Sequence, residues 1–453
     1  MQQRKKLLIG AYTVLAALTF AACTSNSPAA RAAVGDLNSS SPRQSTPAPV
    51  WSSPAAPPPV PTPPAPSPVG APLSTSAPLS TSPRMAPAPI IGPPSIMTVP
   101  SDLRRDVSPI APVTVRADNA TLLQVTLTNP EGKLVKGQLS ASGAMWTSAE
   151  PLGYGRTYVM VAHARRGPGQ RVDIRRSFTT LQPTQTIYPS FYAPSDATTF
   201  GVGQPVVVTF DRPPADRAAA QRALLVTAVP ATEGGWYWWN DRTVHWRPRQ
   251  YWRPGTRVMV QANIYGVDLG NGEYGQTDGA QSFTIGQSKI ATINDRTHQM
   301  TVYIDGRKDR SIPVAMGRDQ SITVNGLDIS FVTPSGTYVA QEKYRVKEMK
   351  SASYGLPADS SLGYDAQIPL AVRISDGGIF VHSAPWSVAD QGLRNVSHGC
   401  ININPVAAQW FYNTFGYGDV VTVAGTSTRL EPSDGFGDWN ISWADWLAGS
   451  ALR

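Results

Sequence analysis

Ile379-Phe380-Val381-His382-Ser383-Ala384-Pro385-Trp386 and, with fourteen residues between it and His382, Ser397-His398-Gly399-Cys400-Ile401-Asn402 decide how this chain is read. The first stretch is an apolar β-type run closed by a histidine, which is where a scaffold presents a side chain into a cleft. Two of the five histidines and one of only two cysteines fall within nineteen positions. A thiolate is a strong nucleophile, and a neighbouring imidazole can take its proton. Gly399 permits a tight turn just before Cys400, and backbone N–H groups around such a turn can hold an oxyanion. The pattern points to acyl transfer or hydrolysis through a thioester. On spacing alone two other readings stay open. His382, His398 and Cys400 could ligate zinc with one position free, or all three could be buried structural residues.

Outward from this motif the chain reads as mostly β. Residues 290–293 and 300–304 alternate as a hairpin, and Asn325-Gly326 is a tight-turn signal. After the motif one helix is predicted, with Asn404 as N-cap, Pro405 in the first turn, Val406 and Trp410 on one face and Gly416 as its stop. Further upstream, short β-type runs such as 122–128 and 156–161 are separated by turn clusters, the pattern of β-sandwich modules. A repeat appears at an offset of about 100 residues, in which Trp146 and Trp246 each precede an aromatic turn, a glycine and a strand. Two copies of that length fit immunoglobulin-like modules. The fold-class expectation is mainly β: two immunoglobulin-like β-sandwich modules at 96–183 and 184–287, a mostly-β catalytic domain at 288–424 with a short helix, and a Trp-rich extension at 425–453. In that extension Trp439, Trp443 and Trp446 are spaced as one face of a short helix packed on the body, bracing the catalytic domain against the second module.

The other cysteine, Cys23, stands at the end of a segment laid out as an export signal. Arg4, Lys5 and Lys6 precede an apolar stretch from Leu7 to Leu18, too short for a membrane span. Residues 1–22 are therefore read as a signal peptide, and no mature transmembrane helix is expected. About half of the 42 prolines lie between Thr24 and Pro100, so residues 23–95 read as an extended tether unable to bury a core. Two cysteines exclude a disulfide scaffold, a multi-cysteine zinc ribbon and a cysteine-held cluster. The net charge of +8 and the Trp/Arg-rich stretch 236–257 are read as a sandwich core with solvated arginines, ahead of glycan or anionic-polymer contact and far ahead of nucleic-acid binding.

Phe20-Ala21-Ala22-Cys23 resembles the lipobox of bacterial lipoproteins, with Phe where leucine is usual. His382 together with Ser397-His398-Gly399-Cys400-Ile401-Asn402 resembles the signature of the L,D-transpeptidase (YkuD-type) catalytic domain, supported by Thr333-Pro334-Ser335-Gly336 and by the closing stretch 416–423. The whole layout is similar to lipoprotein members of the mycobacterial type. The resemblance implies Cys400 as nucleophile, His382 as base and then acid, and the Ser383 carbonyl as its orienter. It implies an oxyanion hole from the N–H groups of His398, Gly399 and Cys400. Tyr364, Met349, Gly378, Trp386, Ser397 and Asn402 would meet substrate, partly beneath a lid at 351–361. The implied reaction joins diaminopimelate residues of two peptidoglycan stem peptides and releases D-Ala from a tetrapeptide donor. Water as acceptor would give an L,D-carboxypeptidase, another amine an attachment enzyme, and a silent site a wall-binding protein. No cofactor, metal or nucleic acid is implied. The expected state is a monomer, lipid-anchored through Cys23 on the periplasmic face of the membrane and acting in the cell wall.

Overall fold

The computed structural model describes residues 92–452 apart from 193, 195 and 196. The signal, Cys23 and nearly all of the proline-rich tether lie outside the described residues. Among the described residues no helix is long and apolar enough to cross a membrane.

The chain is mainly β. In the first sandwich the strands Ser95–Val99, Thr114–Asp118, Met145–Ser148 and Gly137–Leu139 form one sheet. The second sheet is Arg104–Val107, Gln170–Thr180, Thr157–Arg166 and Thr121–Thr128. Alternation along these strands sends Val115, Trp146, Leu127, Met160 and Phe178 into one shared core. The second sandwich pairs Pro189–Phe191, Val206–Phe210, Thr243–Pro248 and Gly234–Trp238 in one sheet. Its other sheet is Thr199–Phe200, Gly279–Ile285, Arg257–Ala262 and Leu224–Val229. The repeat has a physical basis. Trp146 and Trp246 are both buried, and each indole lies against a glycine of the neighbouring strand, Gly137 and Gly234, where any β-carbon would overlap the ring.

The remainder holds a five-stranded sheet, in the order Arg307–Pro313, Gln299–Ile304, Lys289–Asn294, Val420–Ala424 and Gly336–Val339. A four-stranded sheet follows the order Lys343–Lys350, Asp365–Arg373, Phe380–Ser383 and Ile401–Ile403. Ile293, Met300, Val381, Ile401 and Val421 from both sheets meet in one core with Phe411 of the helix Pro405–Thr414. Asn404 caps that helix by accepting from the Ala407 N–H at 2.9 Å. The helix ends at Thr414 on an extended Phe415, ahead of Gly416, and its buried face is Ala408 and Phe411, while Val406 is exposed. Asn325 and Gly326 take φ of 52° and 82° and join Ser321–Val324 to Leu327–Ser330, as the primed turn requires.

The tail differs in form from its expectation. The helix Trp443–Ala448 carries Trp443 and Trp446, but Trp439 sits in a preceding 3-10 turn, Gly437–Asn440. The three indoles converge instead on one cation, Arg247 of the second sandwich, whose guanidinium carbon lies 4.8, 5.2 and 4.5 Å from their rings. Asp438, fully buried, accepts from His245 Nδ1 at 2.8 Å. Asn440 clamps both the N–H and the carbonyl of Thr337 in the five-stranded sheet. Trp439 donates to the Gly203 carbonyl at 2.8 Å. Gly201 and Gly203 in turn donate to Tyr417 and Gly418, a backbone approach that leaves no room for a β-carbon at Gly201.

Candidate active site

The strands Phe380–Ser383 and Ile401–Ile403 run parallel, with Val381 opposite Ile401 and His382 opposite Asn402. Side chains alternate between faces with period two, so His382, Asn402 and Cys400, one step before the strand, project from the same face. His382 and Cys400 are then diagonal neighbours on that face, and both line the same cavity. Gly399 makes this possible, since its φ of 130° lies where a side chain is strained.

Two cavities meet at Cys400. The smaller, about 420 Å³, is lined by His382, Trp386, Ser397, Asn402 and Arg318. The larger, about 1000 Å³, is lined by Gly378, Gly399 and Lys347, Glu348, Met349 and Lys350 of the strand Lys343–Lys350. Met349, Tyr364, His398 and Cys400 border both. Of the catalytic and substrate-binding residues expected from the sequence, all but Ser383 line one cavity or the other. Ser383 contributes its carbonyl, which sits 2.9 Å from His382 Nδ1.

That contact assigns the tautomer. A carbonyl only accepts, so Nδ1 carries the proton, and Nε2 of the neutral ring holds the free lone pair. Burial pushes the His382 imidazole down to about 4, opposed by the Ser383 carbonyl. Burial pushes the Cys400 thiol up to about 11. At neutral pH the pair therefore rests as uncharged thiol and uncharged imidazole. The thiol faces the Gly378 carbonyl at 3.7 Å. Trp386, 60% exposed, stacks beside the His382 ring at 6.0 Å between centroids.

The turn before Cys400 is braced from within the motif by Ser397 and from outside it by Thr333 and Gly317. Ser397 Oγ donates to the Cys400 carbonyl at 2.6 Å and accepts from the Gly399 N–H at 3.1 Å. The buried Thr333 hydroxyl donates to the Gly399 carbonyl at 2.7 Å and accepts from the Gly317 N–H at 2.9 Å. Gly317 in turn lies so close to Gly399 and to the Phe331 carbonyl that a β-carbon cannot be fitted. His398 is held between Phe331 and Tyr364, at 4.8 and 5.1 Å between centroids, and burial with the nearby Arg318 charge keeps its ring below the ordinary imidazole range. The segment read as a lid folds as a 3-10 turn, Ser351–Tyr354, and seats Leu356 on Ile329 and Phe331 in a small core of its own. Among the described residues no group of three or more His, Cys, Asp or Glu side chains is placed to hold a metal ion.

Residues 288–423 match the family model of the L,D-transpeptidase catalytic domain, and residues 104–268 match that of a bacterial Ig domain. The chain is 43% identical over 342 residues to L,D-transpeptidase 2 of Mycobacterium tuberculosis (strain CDC 1551 / Oshkosh), covering 75% of this chain and 81% of that protein. It is 37% identical over 358 residues to L,D-transpeptidase 5 of Mycobacterium tuberculosis (strain ATCC 25618 / H37Rv), covering 78% of this chain and 76% of that one.

Proposed function

The chain belongs to the L,D-transpeptidase family, and from that premise we propose that it cross-links peptidoglycan stem peptides through a thioester on Cys400. The donor is a tetrapeptide stem. Cys400 Sγ attacks the carbonyl at the L-centre of its diaminopimelate while His382 Nε2 takes the thiol proton. Because the Gly399 N–H is already engaged by Ser397 Oγ, the developing oxyanion is assigned to the N–H groups of His398 and Cys400. Collapse breaks the carbon–nitrogen bond, and the His382 imidazolium gives its proton to the departing D-Ala amine. The side-chain amine of a second stem's diaminopimelate then attacks the thioester and Nε2 accepts a proton from it; collapse breaks the carbon–sulfur bond, and the His382 imidazolium returns that proton to Cys400 Sγ, restoring the thiol.

The observation that carries this reading is the free Nε2 of His382, fixed by the Ser383 carbonyl, on the cavity that Cys400 borders. Intact-mass analysis of the purified protein after exposure to a carbapenem tests it. One covalent adduct is expected, absent from Cys400→Ala; no adduct, or one that survives the substitution, overturns the reading. A disaccharide-tetrapeptide then separates transfer from hydrolysis, as dimer against tripeptide. We further propose export, with Cys23 lipidated and the proline-rich stretch as a tether to the wall. Detergent partitioning and globomycin-sensitive processing are expected to vanish in Cys23→Ala.

A further inference from the structure

The smaller cavity contains a charge that the proposed chemistry has not used. Arg318 lines it together with His382 and Cys400. Among the described residues Arg318 has no carboxylate partner. Its Nη2 donates to the Val396 carbonyl at 2.6 Å, its Nε to the Ser397 carbonyl at 3.3 Å, and its guanidinium lies 5.7 Å from the Phe331 ring. No hydrogen bond among the described residues engages Nη1. Asp390, the acidic residue on the same cavity, is already paired with Arg394 at 2.6 Å. Asp319, next in the chain, is turned to Ser427. The guanidinium is thus held in a fixed orientation by neutral carbonyls, with its charge left over. A partly buried cation without a counter-ion fits an anionic ligand, and the planar fork of arginine fits a carboxylate.

The placement says which carboxylate. The group that protonates the departing amine must face it, so the leaving residue lies on the cavity lined by His382. His382 does not border the larger cavity. The departing D-Ala carries its carboxylate one carbon from that amine. We propose that Arg318 binds the terminal carboxylate of the leaving D-alanine and so selects donors that end in a free acid. This rests on the transpeptidase reading and deepens it.

The test compares disaccharide-tetrapeptide donors ending in a D-Ala carboxylate or a D-Ala carboxamide, with full-length wild-type protein, Arg318→Lys and Arg318→Gln. Release of the terminal residue in the first turnover is followed. The wild type is expected to prefer the acid by roughly 10- to 100-fold in kcat/KM, the range of a charge-assisted hydrogen bond. Arg318→Gln should lose that factor on the acid and leave the carboxamide within about twofold, and Arg318→Lys should keep part of it. Equal loss on both donors would mean that Arg318 only braces Val396 and Ser397, and overturns the proposal. The wild-type comparison alone decides it if a variant fails to fold: no discrimination overturns it. Discrimination confined to acceptors with a free or amidated D-centre would also overturn the assignment to the leaving residue. Failure of the wild type to release either terminal residue would sink the transpeptidase reading instead.

Discussion

His382 donates its Nδ1 proton to the carbonyl of Ser383, the next residue of the same strand, at 2.9 Å. The contact fixes both the ring's orientation and its tautomer without a carboxylate. A carboxylate partner would hold the imidazolium and raise its pKa, whereas a neutral carbonyl in a buried site leaves desolvation in charge.

The pH dependence follows. The imidazole is base-competent above about 4 and the thiol stays protonated up to about 11. Acylation of the free enzyme should therefore hold from about pH 5 upward and fall only near pH 4, as read by kcat/KM for carbapenem acylation. Simple alkylation by iodoacetamide, which needs the thiolate, should keep rising toward pH 11. An acid limb near 6.5 with alkylation already level at neutral pH would reveal a preformed ion pair. His382→Ala should slow acylation by roughly 10²- to 10⁴-fold.

Thr333 and Gly317 set the turn before Cys400. Thr333→Val keeps the shape but strands the Gly317 N–H and the Gly399 carbonyl in a dry site. Each orphaned group costs about 1–3 kcal/mol, so a lowered Tm and at least tenfold slower acylation are expected, with Thr333→Ser close to wild type. Gly317→Ala has no space for its methyl and should abolish adduct formation.

The tail is a structural fastener. Trp446 is fully buried and donates to the Gly235 carbonyl at 2.8 Å. Trp446→Ala should cost about 3–5 kcal/mol, and Asp438→Ala a similar amount by leaving His245 buried and unpaired. In calorimetry both should lower the melting of the second sandwich and the catalytic domain together. A shift confined to one of them would contradict the seam described above.

Asp419 lies at the same seam, paired with Lys289 at 2.9 Å, yet burial pushes it up to about 6. Its folded pKa exceeds the usual value, so the folded state binds the extra proton between pH 4 and 6. Stability from this group is then fully present below about pH 4 and declines by roughly 3 kcal/mol as pH rises from about 4 through 6. Asp419→Asn should flatten that slope in denaturant titrations taken across pH 4 to 7.

Much of this was legible in sequence because it is local. The His382 strand, the Asn325-Gly326 turn and the Asn404 cap each depend on residues within a few positions. What was not legible is what the topology brings together from afar. Nothing around Arg318 marks it, since its neighbours on the cavity come from nearly eighty residues later. Thr333 and Ser397 stand out in sequence, but that their hydroxyls bridge Gly317 to Gly399 and Gly399 to Cys400 shows only in the fold. The tryptophans of the tail follow helical spacing, yet they are gathered by a single arginine rather than by one helix face.

The contacts of the tail also impose an order in time. His245 waits for a partner 193 residues further along the chain, Trp446 binds 211 residues back and Trp439 236 residues back. A chain emerging in sequence order can assemble the first sandwich at once. The second must stand with Arg247 and His245 uncovered until residues 438–446 arrive. Closure over such separations is slow, so the seating of the tail on the second sandwich comes late in folding. A chain halted or clipped before residue 438 carries the complete cysteine motif but lacks the residues that cover Arg247 and His245.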